Sequence, residues 1–149
     1  EATAFTCWLS DRLNETIRLP NEHEWEKAAR GERGFEYPWG EGYETGNANV
    51  DESDIEGGTH LQQTVAVGLY PRDESPSGSR DMAGNVLEWC DKIANNVKVS
   101  TRNTRPSPVL RGSAWHYIPG SARAANRFRY YPDSRYYFIG FRLLRSPPS

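Results

Sequence analysis

Residues Val109 to Arg145 read VLRGSAWHYIPGSARAANRFRYYPDSRYYFIGFRLLR, and two kinds of residue are interleaved along them. Arg111, Gly112, Trp115, Arg123, Ala124, Ala125, Arg127, Pro132, Asp133, Gly140, Phe141 and Arg142 read as a frame of turn residues, packing aromatics and arginines whose forked guanidinium can bridge irregular backbone. Between them stand His116, Tyr117, Ile118, Phe128, Tyr130, Tyr131, Ser134, Tyr136, Tyr137 and Phe138. So many rings exceed what a solvated loop normally carries. Consecutive residues of an extended chain point to opposite faces, so the Tyr130–Tyr131 and Tyr136–Phe138 runs must send some rings outward. Tyr gives broad, stiff contact area with a polar tip at small entropic cost. We therefore expect a binding surface here, with a mixed core-and-surface cluster as the competing reading. Short strands near Val109–Arg111 and Gly140–Leu144 would bracket the loops that carry it.

Working outward from this stretch, AGNVLEWC reads as a buried strand, DESPSGSR as a surface loop, and QTVAVGLYP as a short strand turning at Pro71. Between Gly31 and Gly58 the periodicity stops, and Tyr37, Trp39 and Tyr43 should pack to keep that loop ordered. LPNEHEWEKAARG carries the marks of a helix: Asn21 as N-cap, Glu24 three residues on as in a capping box, acids in the first turn, and Gly31 after the last. Trp25, Ala28 and Ala29 form its expected buried stripe. Phe5, Trp8, Leu9 and Leu13 at helical spacing predict an amphipathic first helix ending near Asn14. The polar run from Asn95 to Ser107 has little to bury and is expected to be the most mobile segment. The chain opens without Met on what reads as a helix already under way, so it is expected to be N-terminally incomplete.

A chain of 149 residues is most simply one domain, long enough to bury about 70% of its unfolded surface. With 36% hydrophobic residues, 13 Gly and 10 Pro, a loop-rich domain is favoured over a helical bundle. A net charge of -2 gives no whole-molecule attraction to nucleic acid or anionic membrane. The arginines of the C-terminal stretch, interleaved with aromatics, suit a single-stranded nucleic acid, but Asp81, Asp91 and Asp133 are available to pair with them, and no nucleic-acid partner is expected. No apolar run reaches the roughly 18 residues of a membrane span. No signal peptide is visible, which leaves the localisation open. Cys7 and Cys90 have no Cys or His neighbour at metal-ligand spacing. They are expected as two buried free thiols, a single disulfide being the alternative.

Taken in order, RLPNEHEWEKAARG, YPWG, the Asn near position 49, VGLYP, DMAGNVLEW, LRGSAW and GFRLL resemble the formylglycine-generating-enzyme (sulfatase-modifying factor) family over nearly the whole chain. The resemblance implies an α+β, C-type-lectin-like fold, loop-rich, with two helices and short antiparallel strands, as a single domain over residues 1–149. Enzymatic members oxidise a substrate cysteine with a copper-binding cysteine pair that follows a GGSW-like motif, a task suited to soft thiolates. The corresponding segment here is AWHYIPGSARAANR, which contains no cysteine. No copper and no catalysis are expected, with a formylglycine-generating-type oxidase or accessory enzyme as the alternative. The family's iron-dependent sulfoxide synthases draw a histidine triad mainly from another domain. His23, His60 and His116 show no triad spacing and read as isolated surface or loop residues.

Within the family, RGSAW…ARAANR…PDSR…IGFRLLRSPP is similar to the variable region of proteins diversified by diversity-generating retroelements. Those elements mutate template adenines, mostly in AAC codons, and so admit residues encoded by NNC. His116, Tyr117, Ile118, Phe128, Tyr130, Tyr131, Ser134, Tyr136, Tyr137 and Phe138 all belong to that set. The resemblance implies that residues 109–145 form a variable ligand-binding region for a protein or cell-surface ligand. The chain is expected to act as a monomer, with an aromatic oligomer interface as the structural alternative. DMAGNVLEW implies a structural Ca2+ held by the side chains of Asp81 and Glu88 and the carbonyls of Gly84 and Val86, hard oxygen ligands on a tight turn. The competing reading is that Glu88 pairs with an arginine.

Overall fold

Helix α2, Glu22–Arg30, starts where its capping box puts it. Asn21 Oδ1 accepts from the N–H groups of His23 and Glu24, both at 3.0 Å, and Glu24 Oε2 accepts from the Asn21 N–H at 2.8 Å. Gly31 closes it with φ 63°, and Trp25 and Ala29 are buried against the core while Ala28 packs beside them. These features belong to a computed structural model, which describes residues 1–91 and 108–146. The Asn95–Ser107 run lies outside the described residues.

Helix α1, Ala2–Leu13, ends at Asn14, whose φ of 52° is left-handed. Its apolar stripe departs from expectation: Phe5, Trp8 and Leu13 are exposed, and Thr6 is the buried residue. Phe5 packs on Trp8 and on Phe141, at ring separations of 5.5 and 5.7 Å, so the stripe makes a surface ridge. Cys7 is exposed on the same helix and Cys90 is buried, both as free thiols, which corrects the expectation of two buried ones. Burial pushes the Cys90 thiol up to about 12.

Among the described residues six short strands occur, in chain order β1 (Ile17–Arg18), β2 (Leu87–Trp89), β3 (Val109–Arg111), β4 (Phe128–Arg129), β5 (Ile139–Gly140) and β6 (Leu144–Arg145). Four of them form one sheet in the order β4-β3-β2-β5. The β2/β3 and β3/β4 pairs are antiparallel, with Glu88 opposite Arg111 and Leu110 opposite Phe128. The β2/β5 pair is parallel, a departure from an all-antiparallel arrangement. β1 and β6 form a separate antiparallel ladder joining Ile17 to Arg145. The strand expected over Gly140–Leu144 is therefore two pieces, broken at Phe141–Leu143 where Arg142 turns to meet Glu88.

QTVAVGLYP forms no strand. Side chains satisfy its backbone instead: Asn85 accepts from the Val65 N–H at 3.0 Å and donates to the Val65 carbonyl at 3.3 Å, and Asn49 donates to the Gln63 carbonyl at 3.0 Å. Asp81 accepts from the Gly68 N–H at 2.7 Å. Backbone groups satisfied in this way need no ladder partner. Tyr37, Trp39 and Tyr43 do pack, with Tyr37 and Trp39 stacked at 5.1 Å over Ala48, Val50 and Ala83. Gly84 sits at the crossing of these segments with φ 77°. A Cβ there would stand 2.3 Å from the Asn49 carbonyl oxygen, so only glycine lets the two backbones meet. Among the described residues, no helix is long and apolar enough to cross a membrane.

Candidate ligand-binding face

The C-terminal stretch is held from beneath by its arginines. Arg111 is fully buried at the end of β3, with its guanidinium 5.5 Å from the Trp25 ring centre. It donates to the carbonyls of Ala125 and Asn126 at 2.8 and 2.7 Å and pairs with Glu26 of α2. Burial works to raise the Glu26 pKa, but Arg30 and Arg111 outweigh it and hold the carboxyl below its ordinary value. Arg127 reaches Glu22 and Arg123 reaches Glu36, each at 2.6 Å. Asn126 donates to the carbonyls of Gly120 and Ser121, both at 2.9 Å, which fixes the short 3-10 turn Pro119–Ala122.

Arg142 occupies the neighbourhood where calcium was expected. Glu88 Oε2 accepts from Trp25 Nε1 at 2.7 Å and from Arg142 Nε at 2.5 Å, and Oε1 accepts from the same guanidinium at 2.8 Å. Arg142 also donates to the Asp81 carbonyl at 2.9 Å, while the Asp81 side chain is taken by Gly68. Ca2+ needs six or more oxygens free to turn toward it. Both carboxylates of the set Asp81, Gly84, Val86 and Glu88 are engaged by protein donors, and a fixed cation lies between Glu88 and the Asp81 carbonyl. As placed, these four residues do not fit the ion, and the arginine pair describes the geometry.

The aromatic residues form one connected cluster with an outside and a root. Ile118, Tyr131, Tyr136 and Tyr137 are exposed, Tyr137 by 74%. His116, Tyr117, Phe128, Tyr130 and Ser134 are half-buried. Phe138, expected at the surface, is 8% exposed and belongs to the core with Leu87, Leu110 and Ala114. Its carbonyl accepts from the Leu87 N–H at 2.8 Å just before β5, which turns the ring inward. Five rings then gather on it: His116 at 4.5 Å, Tyr136 at 5.1 Å, Tyr137 at 5.4 Å, Tyr130 at 6.0 Å and Tyr117 at 6.3 Å. Tyr117 stacks on Phe128 at 5.3 Å and shares a 3.0 Å hydroxyl contact with Tyr130. Burial and that hydrogen bond push the Tyr117 hydroxyl up to about 12. A cavity of about 650 Å³ beside the first turn of α1 is lined by Ser134 and Tyr136 of the ten positions.

Two histidines read as isolated both lie near the Trp115 ring. His60 Nδ1 lies 3.2 Å from Asp51 Oδ1, and the Asp51 N–H donates to the Tyr117 carbonyl at 2.9 Å, docking the acidic loop on the aromatic stretch. The rings of His60 and His116 stand 5.9 and 4.9 Å from that of Trp115. Burial and the neighbouring His60 hold the His116 pKa below its ordinary value. His60 Nε2, His116 Nδ1 and Trp115 Nε1 are all buried without a protein partner. No spacing in the aperiodic loop around His60 signals this meeting.

Residues 1–147 match the Sulfatase-modifying factor enzyme 1-like domain. The chain belongs to this family. It is 35% identical over 155 residues to the serine/threonine-protein kinase Pkn1 of Chlamydia trachomatis serovar L2, a match covering 97% of this chain and 22% of that protein. It is 32% identical over 152 residues to the inactive C-alpha-formylglycine-generating enzyme 2 of Bos taurus, covering 95% of this chain and 46% of that one. The chain thus spans about a fifth and about half of these two relatives' lengths. Among solved structures, Treponema denticola variable protein 1 matches with a TM-score of 0.65 at 27% identity, over 87% of this chain and 47% of its own. In this sulfatase-modifying-factor domain the LRGSAW motif starts in β3 and leads out of it, and the segment that follows runs into the aromatic face without a thiol.

Proposed function

We propose that this domain is a non-catalytic recognition module. Its Tyr-rich face binds varied ligands, principally proteins, and is diversified by a retroelement at the positions between the frame residues. The observation that carries this reading is the division of labour in the C-terminal stretch: Arg111, Arg127 and Asn126 hold the backbone through carbonyls and carboxylates, while Ile118, Tyr131, Tyr136 and Tyr137 turn their side chains to solvent. Stiff aromatic anchors on a fixed backbone suit recognition, because little entropy is lost on binding. The likeness to Treponema denticola variable protein 1 supports it. The test is the neighbouring DNA. A near-copy of the coding segment for Val109–Arg145, differing only at adenines and lying beside a reverse-transcriptase gene, is the expected finding. A locus with neither feature sinks the diversification reading.

The second reading is a formylglycine-generating-type oxidase or accessory enzyme, favoured by membership of a family described by an enzyme. It predicts Cu(I) binding and oxidation of a peptide cysteine by the isolated chain, and either result would displace the recognition reading. Cys90 is the last cysteine of the sequence, and its burial and raised pKa keep it from acting as a thiolate.

A further inference from the structure

We infer that the aromatic face selects cationic protein partners: Lys or Arg side chains of the ligand dock on its rings, drawn there by a fixed acidic loop, residues 51–60, that borders them. The inference rests on the recognition reading and names the chemistry of what the face takes. The loop is seated on the aromatic stretch at both ends. The Asp51 N–H donates to the Tyr117 carbonyl at 2.9 Å, at the peptide that leads into exposed Ile118. At the other end the His60 ring stands 5.9 Å from that of Trp115, on which exposed Tyr137 stacks at 5.8 Å. Between these ends the loop is held in one shape by buried Glu52. Its carboxylate accepts from the N–H groups of Gly46 at 2.8 Å and Thr59 at 3.2 Å and from the Tyr43 hydroxyl, and its carbonyl accepts from the Ile55 N–H at 2.9 Å. Glu52 is thereby taken up by the loop itself, while Asp54 and Glu56 are exposed.

The sign of the partner follows from which charges are already matched. Arg111, Arg123, Arg127, Arg135, Arg142 and Arg145 each pair with a glutamate of the same chain, so these cations are neutralised in place. Asp54 and Glu56 have no ion-pair partner among the described residues. Three Cα steps separate Asp54 from Asp51, which keeps its Cα within about 11 Å of the place where the loop meets the face. Exposed charge at that range gives the neighbouring surface a negative potential, screened over about 8 Å at physiological salt. The rings act in the same direction. Tyr131, Tyr136 and Tyr137 expose aromatic surface, whose negative quadrupole attracts guanidinium and ammonium groups while the aliphatic stems of Arg and Lys pack against it. A nucleic acid or an acidic protein meets like charge at this edge. Because residues 51–60 lie outside the varied stretch, the acidic flank is a constant charge filter beside a changing surface.

The test pans a phage-displayed library of random peptides against the full chain, then measures the affinity of the recovered peptides by fluorescence polarisation. An excess of Lys and Arg over the starting library is expected, with affinity falling between about 50 and 300 mM NaCl as salt screens the flank. Asp54→Asn combined with Glu56→Gln should weaken binding roughly three- to tenfold at the lower salt. Glu32→Gln, at an exposed acid just after α2, should leave it unchanged. Replacing Ile118, Tyr131, Tyr136 and Tyr137 together by Ser separates this inference from the reading it rests on. Peptides that are lost on that variant but show no excess of Lys and Arg, or bind the Asp54→Asn, Glu56→Gln variant equally well, overturn the acidic flank and leave the recognition reading standing. If no recovered peptide depends on those four residues, both fail together. The peptide composition and its salt dependence are read on the unaltered chain, so a variant that fails to fold cannot decide the outcome.

Discussion

Asp73 is fully buried, with Oδ2 accepting from the Ala83 N–H at 2.9 Å and Oδ1 facing no partner. Burial pushes its carboxyl up to about 7, with Asp81 adding to the rise. The folded chain therefore holds this proton more tightly than the unfolded chain does. Its stabilising contribution is complete below the ordinary carboxylate range and is lost as pH rises toward about 7. Asp73→Asn keeps an oxygen for Ala83 and removes the buried charge. Urea unfolding should show the variant more stable at about pH 8, by on the order of 2–4 kcal/mol, and little changed at about pH 4. An unchanged pH profile would assign the carboxylate a partner not visible in this geometry.

The elements differ in how much of them is written locally. α2 was legible to its boundaries because cap, first-turn acids and closing Gly act within one turn of each other. Asn21→Ala should accordingly cost about 1 kcal/mol, read as a fall in melting temperature. α1 was legible as a helix, but its burial depends on what packs against it, which Phe5, Trp8 and Leu13 do not encode. QTVAVGLYP has the composition of a strand and is none, because Asn85, 20 residues away, supplies what a neighbouring strand would. Asn85→Ala should speed amide hydrogen exchange at Val65 well before global unfolding, while exchange at Leu110 in the central sheet stays slow.

Over the whole molecule, the arginines that hold the C-terminal stretch could be named from the sequence, but the residue on which its rings gather could not. Phe138 sits in a run of three aromatics whose members look equivalent, and only its position before β5 sends it into the core. Replacing Ile118, Tyr131, Tyr136 and Tyr137 together by Ser should change unfolding free energy by no more than about 1 kcal/mol, whereas Phe138→Ala alone should cost about 3–5 kcal/mol. If the surface variant loses as much as the core one, the face is part of the stabilising core. His60 and His116 were legible only as single residues, since the contact that joins them to Trp115 is made by the fold.

The pairing of β1 with β6 joins Ile17 to Arg145, and Glu26 of α2 waits for Arg111, 85 residues later. Contacts between such distant segments slow folding, because a long loop must close before they form. During translation β1, α1 and α2 leave the ribosome well before β3 and β6 exist. The domain thus completes its fold only after Arg145 has emerged. Until then the Trp25–Ala29 face of α2 displays apolar surface that the finished core buries, and a chain that stalls before Leu144 is left as substrate for chaperones and proteases.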